Sequence, residues 1–123
     1  MLNIIACEVM GLHLEEIVSG FVLELRRGTV ILCVLAKLKD PTYGYSLIAE
    51  LAQTGVAIEA NTLYPLLRRL EGQGLLESAW NTEGAKPRKY YATTAFGREV
   101  LAELKKHWRA AAESMNALLE EEK

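Results

Sequence analysis

The feature that most constrains this chain is a change of apolar period on either side of Gly72-Gln73-Gly74. Before that triplet, apolar residues recur every three or four positions, the spacing of helices with one buried stripe. After it come two short strand candidates, Leu75 to Trp80 and Arg88 to Thr93, joined by the turn-rich link Asn81-Thr82-Glu83-Gly84-Ala85-Lys86-Pro87. Such a pair reads as a β-hairpin with a tip. Beyond it, Thr93 or Thr94 can cap a long last helix in which helical period resumes.

The helices before the hairpin differ in character. Residues 2–25 are helix-like, placing Leu14, Ile17, Val18, Phe21 and Leu25 on one side and Glu15, Glu16, Ser19 and Glu24 on the other, with Gly11 and Gly20 weighing against an unbroken helix. Residues 29–38 are apolar nearly all round, so this helix must be covered on several sides. In so small a domain a second subunit is expected to help. Asp40-Pro41 is expected to open the next helix, with Asp40 as N-cap and Pro41 at its first position. Its stripe is Gly44, Leu47, Ile48 and Leu51. A third helix spans about Asn61 to Glu71, with Leu63, Leu66, Leu67 and Leu70 inward and Asn61, Pro65 and Arg68 opposite, flanked by Tyr64 and Arg69. In the last helix Leu101, Leu104, Trp108, Ala111, Met115 and Leu118 follow alternating three- and four-residue steps, an a/d heptad seam.

The order helix, helix, helix, hairpin, helix is that of a winged helix-turn-helix. The fold class is therefore mainly α with a small β-hairpin: residues 1–24 a helical N-terminal extension, 25–93 the winged helix-turn-helix, and 94–123 a long C-terminal dimerisation helix. Charge supports a nucleic-acid partner. The net charge is −2, yet residues 1–25 hold four Glu and no base, residues 26–109 hold thirteen Lys/Arg against eight Asp/Glu, and residues 110–123 hold four Glu and one Lys. The middle is basic and both ends are acidic. The third helix would read bases through Asn61, Thr62, Tyr64 and Arg68, since Asn pairs bidentately with adenine and Arg with guanine. Lys86, Arg88 and Lys89 on the hairpin suit a wing that grips phosphate or enters the minor groove.

Each feature also has an ordinary reading. Arg68 and Arg69 alone are a solvated helix face, the hairpin cations can serve to discourage edge-to-edge aggregation, and Tyr64, Tyr90 and Tyr91 can be partial core. The last helix can fold back on its own subunit. Their succession in winged-helix order favours DNA binding, and the seam favours a homodimer. Trp108 on that seam is either dimer core or one wall of a pocket for an aromatic ligand. The competing class is a winged-helix protein–protein interaction module that does not read DNA, docking through its acidic ends.

Enzyme chemistry finds no footing. Cys7, Cys33, His13 and His107 lack the spacing of a metal site, Cys33 lies inside an apolar helix, and no phosphate loop, nucleophile elbow or carboxylate pair is present. No metal, cofactor or catalytic residue is expected. With no eighteen-residue uncharged apolar stretch and no basic n-region before an apolar run, a soluble cytoplasmic protein is expected, without membrane contact.

Linked motifs sharpen this reading. Asn61-Thr62-Leu63-Tyr64-Pro65-Leu66-Leu67-Arg68-Arg69-Leu70-Glu71, then Gly74-Leu75-Leu76 and Pro87-Arg88-Lys89-Tyr90-Tyr91, closely resemble the PadR family of bacterial transcriptional regulators. Thr42-Tyr43-Gly44-Tyr45-Ser46-Leu47 resembles the family's second helix, and Arg26-Arg27-Gly28-Thr29 its usual opening. The resemblance spans about residues 25–109. It implies a homodimeric winged-helix repressor on a pseudo-palindromic double-stranded operator, released by a small-molecule effector, in the short subfamily with one C-terminal helix. It carries DNA contacts onto Asn61, Thr62, Tyr64, Arg68, Lys86, Arg88 and Lys89, with Tyr43 and Tyr45 near the backbone. It also places Trp108 where multidrug-responsive members stack planar aromatic drugs. Two departures stand out. Residues 1–24 precede the family's usual start, as an added dimer helix or an upstream start codon, and the wing is short with only Lys86 at its tip.

Overall fold

The structure, a computed structural model, describes the backbone of residues 4–121 and the side chains of residues 13–121. The first three residues of the N-terminal extension lie outside the described residues. Two compact units make up the chain, Met1–Val30 and Ile31–Lys123.

The first unit is one helix, α1 (Ile4–Arg27). It runs unbroken through Gly11 and Gly20, the two residues whose low helix propensity weighs against it. Glycine costs a helix about 1 kcal/mol but clashes with nothing. Arg26 and Arg27 occupy its last turn, where cations complement the helix dipole. The chain then turns at Thr29, whose backbone N–H and Oγ1 both donate to the Arg26 carbonyl at 2.9 Å.

α2 (Val30–Lys37) has all but its first residue in the second unit, and its Val34 and Leu35 are fully buried. The next segment corrects an expectation. Asp40-Pro41 does not start a helix; Thr42–Tyr43 instead forms a short strand, β1, and α3 (Gly44–Gln53) begins only after it. β1 is drawn into pairing with a strand far along the chain, Thr42 opposite Tyr91 and Tyr43 opposite Tyr90. The backbone bonds so gained outweigh the local Asp-Pro cue. A connection leads to α4 (Ala60–Gly72), which tolerates Pro65 on its exposed face. Gly74, at φ +81°, supplies the left-handed turn that stops the helix and redirects the chain.

The hairpin follows as β2 (Leu76–Asn81) and β3 (Arg88–Thr93), pairing from Leu76 with Thr93 to Asn81 with Arg88. With β1 it makes a three-stranded antiparallel sheet of order β1-β3-β2. The core under it is nearly all leucine: Leu35, Leu38, Leu47, Leu51, Leu63, Leu67 and Leu70 are each at most 1% exposed. Thr93 ties the sheet to α2. Its N–H donates to the Leu38 carbonyl at 2.7 Å and its hydroxyl to the Leu35 carbonyl at 2.9 Å. These are carbonyls that the end of a helix leaves without partners.

Last comes α5 (Ala95–Glu120). Thr94 caps it, accepting from Gly97 N–H at 2.9 Å while donating to the Gly74 carbonyl at 2.6 Å. Gly97 lies so close to the Leu75 carbonyl that a Cβ there would overlap it. The heptad seam divides along its length. Leu101 is buried in its own head, Leu104 is half-buried, and Trp108, Met115 and Leu118 are each more than 50% exposed. Leu101, expected in the dimer seam, is therefore part of the protomer's own core.

Candidate nucleic-acid interface

α4 is held by its leucines. Leu63, Leu67 and Leu70 are buried against the core, and 100° per residue then turns Asn61, Thr62, Pro65, Arg68 and Arg69 outward on one face, where all five are exposed. Asn61 and Arg68 are seven positions apart, two turns along the same side. Tyr64 departs from the expected set. It is half-buried, and its ring edge and hydroxyl lie over Gly44, where an added Cβ would come within 2.6–2.8 Å of them. Glycine at that point lets α3 and α4 approach through the tyrosine ring, so Tyr64 packs the two helices together instead of standing free on the outer face.

The hairpin separates its three cations. Lys86 at the tip is exposed, with no ion pair among the described residues. Arg88 is also exposed, and its guanidinium sits over the Tyr43 ring, 4.7 Å from the centroid. Lys89 turns to the other face of the sheet. It is half-buried, 3.9 Å from Glu71 and over the Tyr91 ring. Glu71 also accepts from the Ser78 hydroxyl. Lys89 therefore clamps the hairpin to the end of α4 and is not a free wing cation as expected.

Glu71 is the residue the sequence reading passed over. Its role needs the β2–β3 register, which sets Ser78 opposite Tyr91 and turns Lys89 to that same face. Among the described residues no group of His, Cys, Asp and Glu could hold a metal ion, and no helix is long and apolar enough to cross a membrane.

The family model for PadR-like transcriptional regulators matches residues 31–103. The chain belongs to the PadR-like family. Among solved structures, a PadR family transcriptional regulator from Eggerthella lenta is 53% identical, with a TM-score of 0.85, over 89% of this chain and 97% of that one. A PadR-like regulator from Bacillus cereus is 30% identical, with a TM-score of 0.71, over 78% and 96% of the two chains. Transcriptional regulator Rv3488 of Mycobacterium tuberculosis is 37% identical over 81 residues, 65% of this chain and 76% of that protein. This PadR-like chain is thus a transcriptional regulator with a winged-helix head and a long C-terminal helix, and not an enzyme. The matched segment runs from α2 into the first turns of α5 and takes in all of the outward α4 face and the hairpin.

Proposed function

We propose that this regulator is a homodimeric repressor that reads a pseudo-palindromic operator and is released by a small planar aromatic or hydrophobic effector. The observation that carries the DNA-binding reading is the outward face of α4. A helix pinned by leucines presents Asn61, Thr62 and Arg68 to solvent, and a hairpin with exposed Lys86 and Arg88 follows it. Asn61, Thr62 and Arg68 would contact base edges in the major groove. Lys86 and Arg88 would hold phosphate, while Tyr64 and Lys89 fix the parts that do the reading.

Pairing through the open part of the α5 seam, from Leu104 to Leu118, would set the gap between two heads, with half-sites about one helical turn, ~10 bp, apart. Trp108 lies on that seam, 52% exposed in the single chain. An effector seated beside it acts as a release signal only if it binds the DNA-incompetent spacing more tightly than the competent one.

A gel-shift salt series with DNA from upstream of the gene tests the core of this reading. Log affinity should fall linearly with log salt, with a slope of about −0.9 for each phosphate contacted. Affinity that stays flat from low to high salt rejects it. For the effector, a Trp80→Phe chain leaves Trp108 as the fluorescent reporter. Planar aromatic compounds should quench it saturably and lower operator affinity in step.

A further inference from the structure

The wing's cations are held in place by different neighbours. Two of the three, Arg88 and Lys89, are engaged by aromatic rings, and they are engaged differently. Lys89 lies 3.9 Å from the Glu71 carboxylate on the inner face. Arg88 lies on the outer face with no carboxylate partner among the described residues, and what it touches is Tyr43. That tyrosine belongs to β1, the strand that replaces the expected helix start. It stands opposite Tyr90, so Arg88, two positions before Tyr90 on the same face of β3, is its diagonal neighbour. Tyr90 also packs against the Tyr43 ring, edge-on at a centroid distance of 5.6 Å and an angle of 62°.

We propose that Tyr43 is a positioning residue for Arg88, holding its guanidinium outstretched over a fixed ring, ready for a backbone phosphate. This inference rests on the DNA-binding reading and deepens it. A free arginine has much rotamer freedom to lose on binding. A guanidinium uses its flat face on an aromatic ring and its N–H rim on phosphate, so the two contacts do not compete. Lys86, on the turn-rich tip, has no such support. The wing therefore reaches DNA with one ordered cation and one loose one, and the ordering comes from a residue some forty-five positions earlier in the chain.

The test uses the full chain and a duplex that the wild type selects from a random-sequence pool. Tyr43→Leu should weaken binding about two- to five-fold, the factor that an exposed cation–π contact supplies. Tyr43→Phe, which keeps the ring, should stay within about twofold of wild type, since Phe still offers its face to a cation. Arg88→Ala should weaken binding, and adding Tyr43→Leu to it should cost nothing more. Three results overturn the inference: Tyr43→Leu without effect; the same loss from Tyr43→Leu with Arg88 absent, which would make Tyr43 only a support for the sheet; or Tyr43→Phe matching Tyr43→Leu, which would move the role to the hydroxyl. If the wild type selects no duplex, the DNA-binding reading itself fails and this inference falls with it.

Discussion

At the scale of single residues, exposed polarity and exposed charge do different work. Arg68 stands on the outward face of α4 with no ion pair among the described residues. If it reads guanine bidentately, Arg68→Ala should cost about 1–3 kcal/mol of discrimination. It should leave binding to random duplex nearly unchanged. Competition gel shifts with specific and random DNA measure both numbers, and equal losses would reduce Arg68 to a phosphate contact. Lys89→Ala should behave otherwise. Its partners are Glu71 and Tyr91, so it should lower stability and barely alter the salt slope, whereas Lys86→Ala should lower the slope by about 0.9.

At the scale of elements, the head is joined where one element's unpaired backbone meets another's side chain. Thr93 is 3% exposed and closes off two carbonyls at the end of α2. Thr93→Val keeps the shape and the β-branched fit to the strand but leaves the Leu35 carbonyl buried without its donor. The expected cost is about 1–3 kcal/mol. Thermal unfolding should show it as a fall in Tm of about 4–8 °C per kcal/mol. Thr42→Val is the control, because the Thr42 hydroxyl bonds the Asp40 carbonyl in an exposed position and should matter little.

The elements also mark what sequence could disclose. The leucine stripes of α3 and α4, the Gly74 turn, the hairpin and the Thr94 cap are local signals, and each lies within a residue or so of its expected place. β1 is not local. Two residues of strand have no period to detect, and their pairing with Tyr90 and Tyr91 exists only once the hairpin has folded. The same reasoning separates the site residues. Asn61, Thr62 and Arg68 follow from helical geometry alone. The burial of Tyr64 over Gly44, the Lys89–Glu71 clamp and the Arg88–Tyr43 contact each depend on how distant elements meet.

At the scale of the whole molecule, the second half of α5 is left uncovered by the head that holds its first turns. A helix of 26 residues is about 39 Å long, and only its first turns are packed by its own head. The rest carries Trp108, Met115 and Leu118 at heptad spacing in the open, a seam that a second copy with the same spacing would cover. Met115→Glu with Leu118→Glu should therefore break the dimer and leave the head intact, since neither residue touches the leucine core. Sedimentation velocity at roughly 10 μM should show the wild type as a dimer and the double variant as a monomer. Far-UV circular dichroism should lose helix signal, because a helical tail without tertiary packing is marginal in water. Operator affinity should fall by roughly 10²–10⁴-fold, because the second half-site would no longer be bound by a tethered partner. Binding of one head to a single half-site should survive. A wild type that sediments as a monomer, or a double variant that still dimerises, would detach the seam from assembly; the effector reading would then lose its lever, because a ligand beside Trp108 changes the gap between two heads only if their helices meet there.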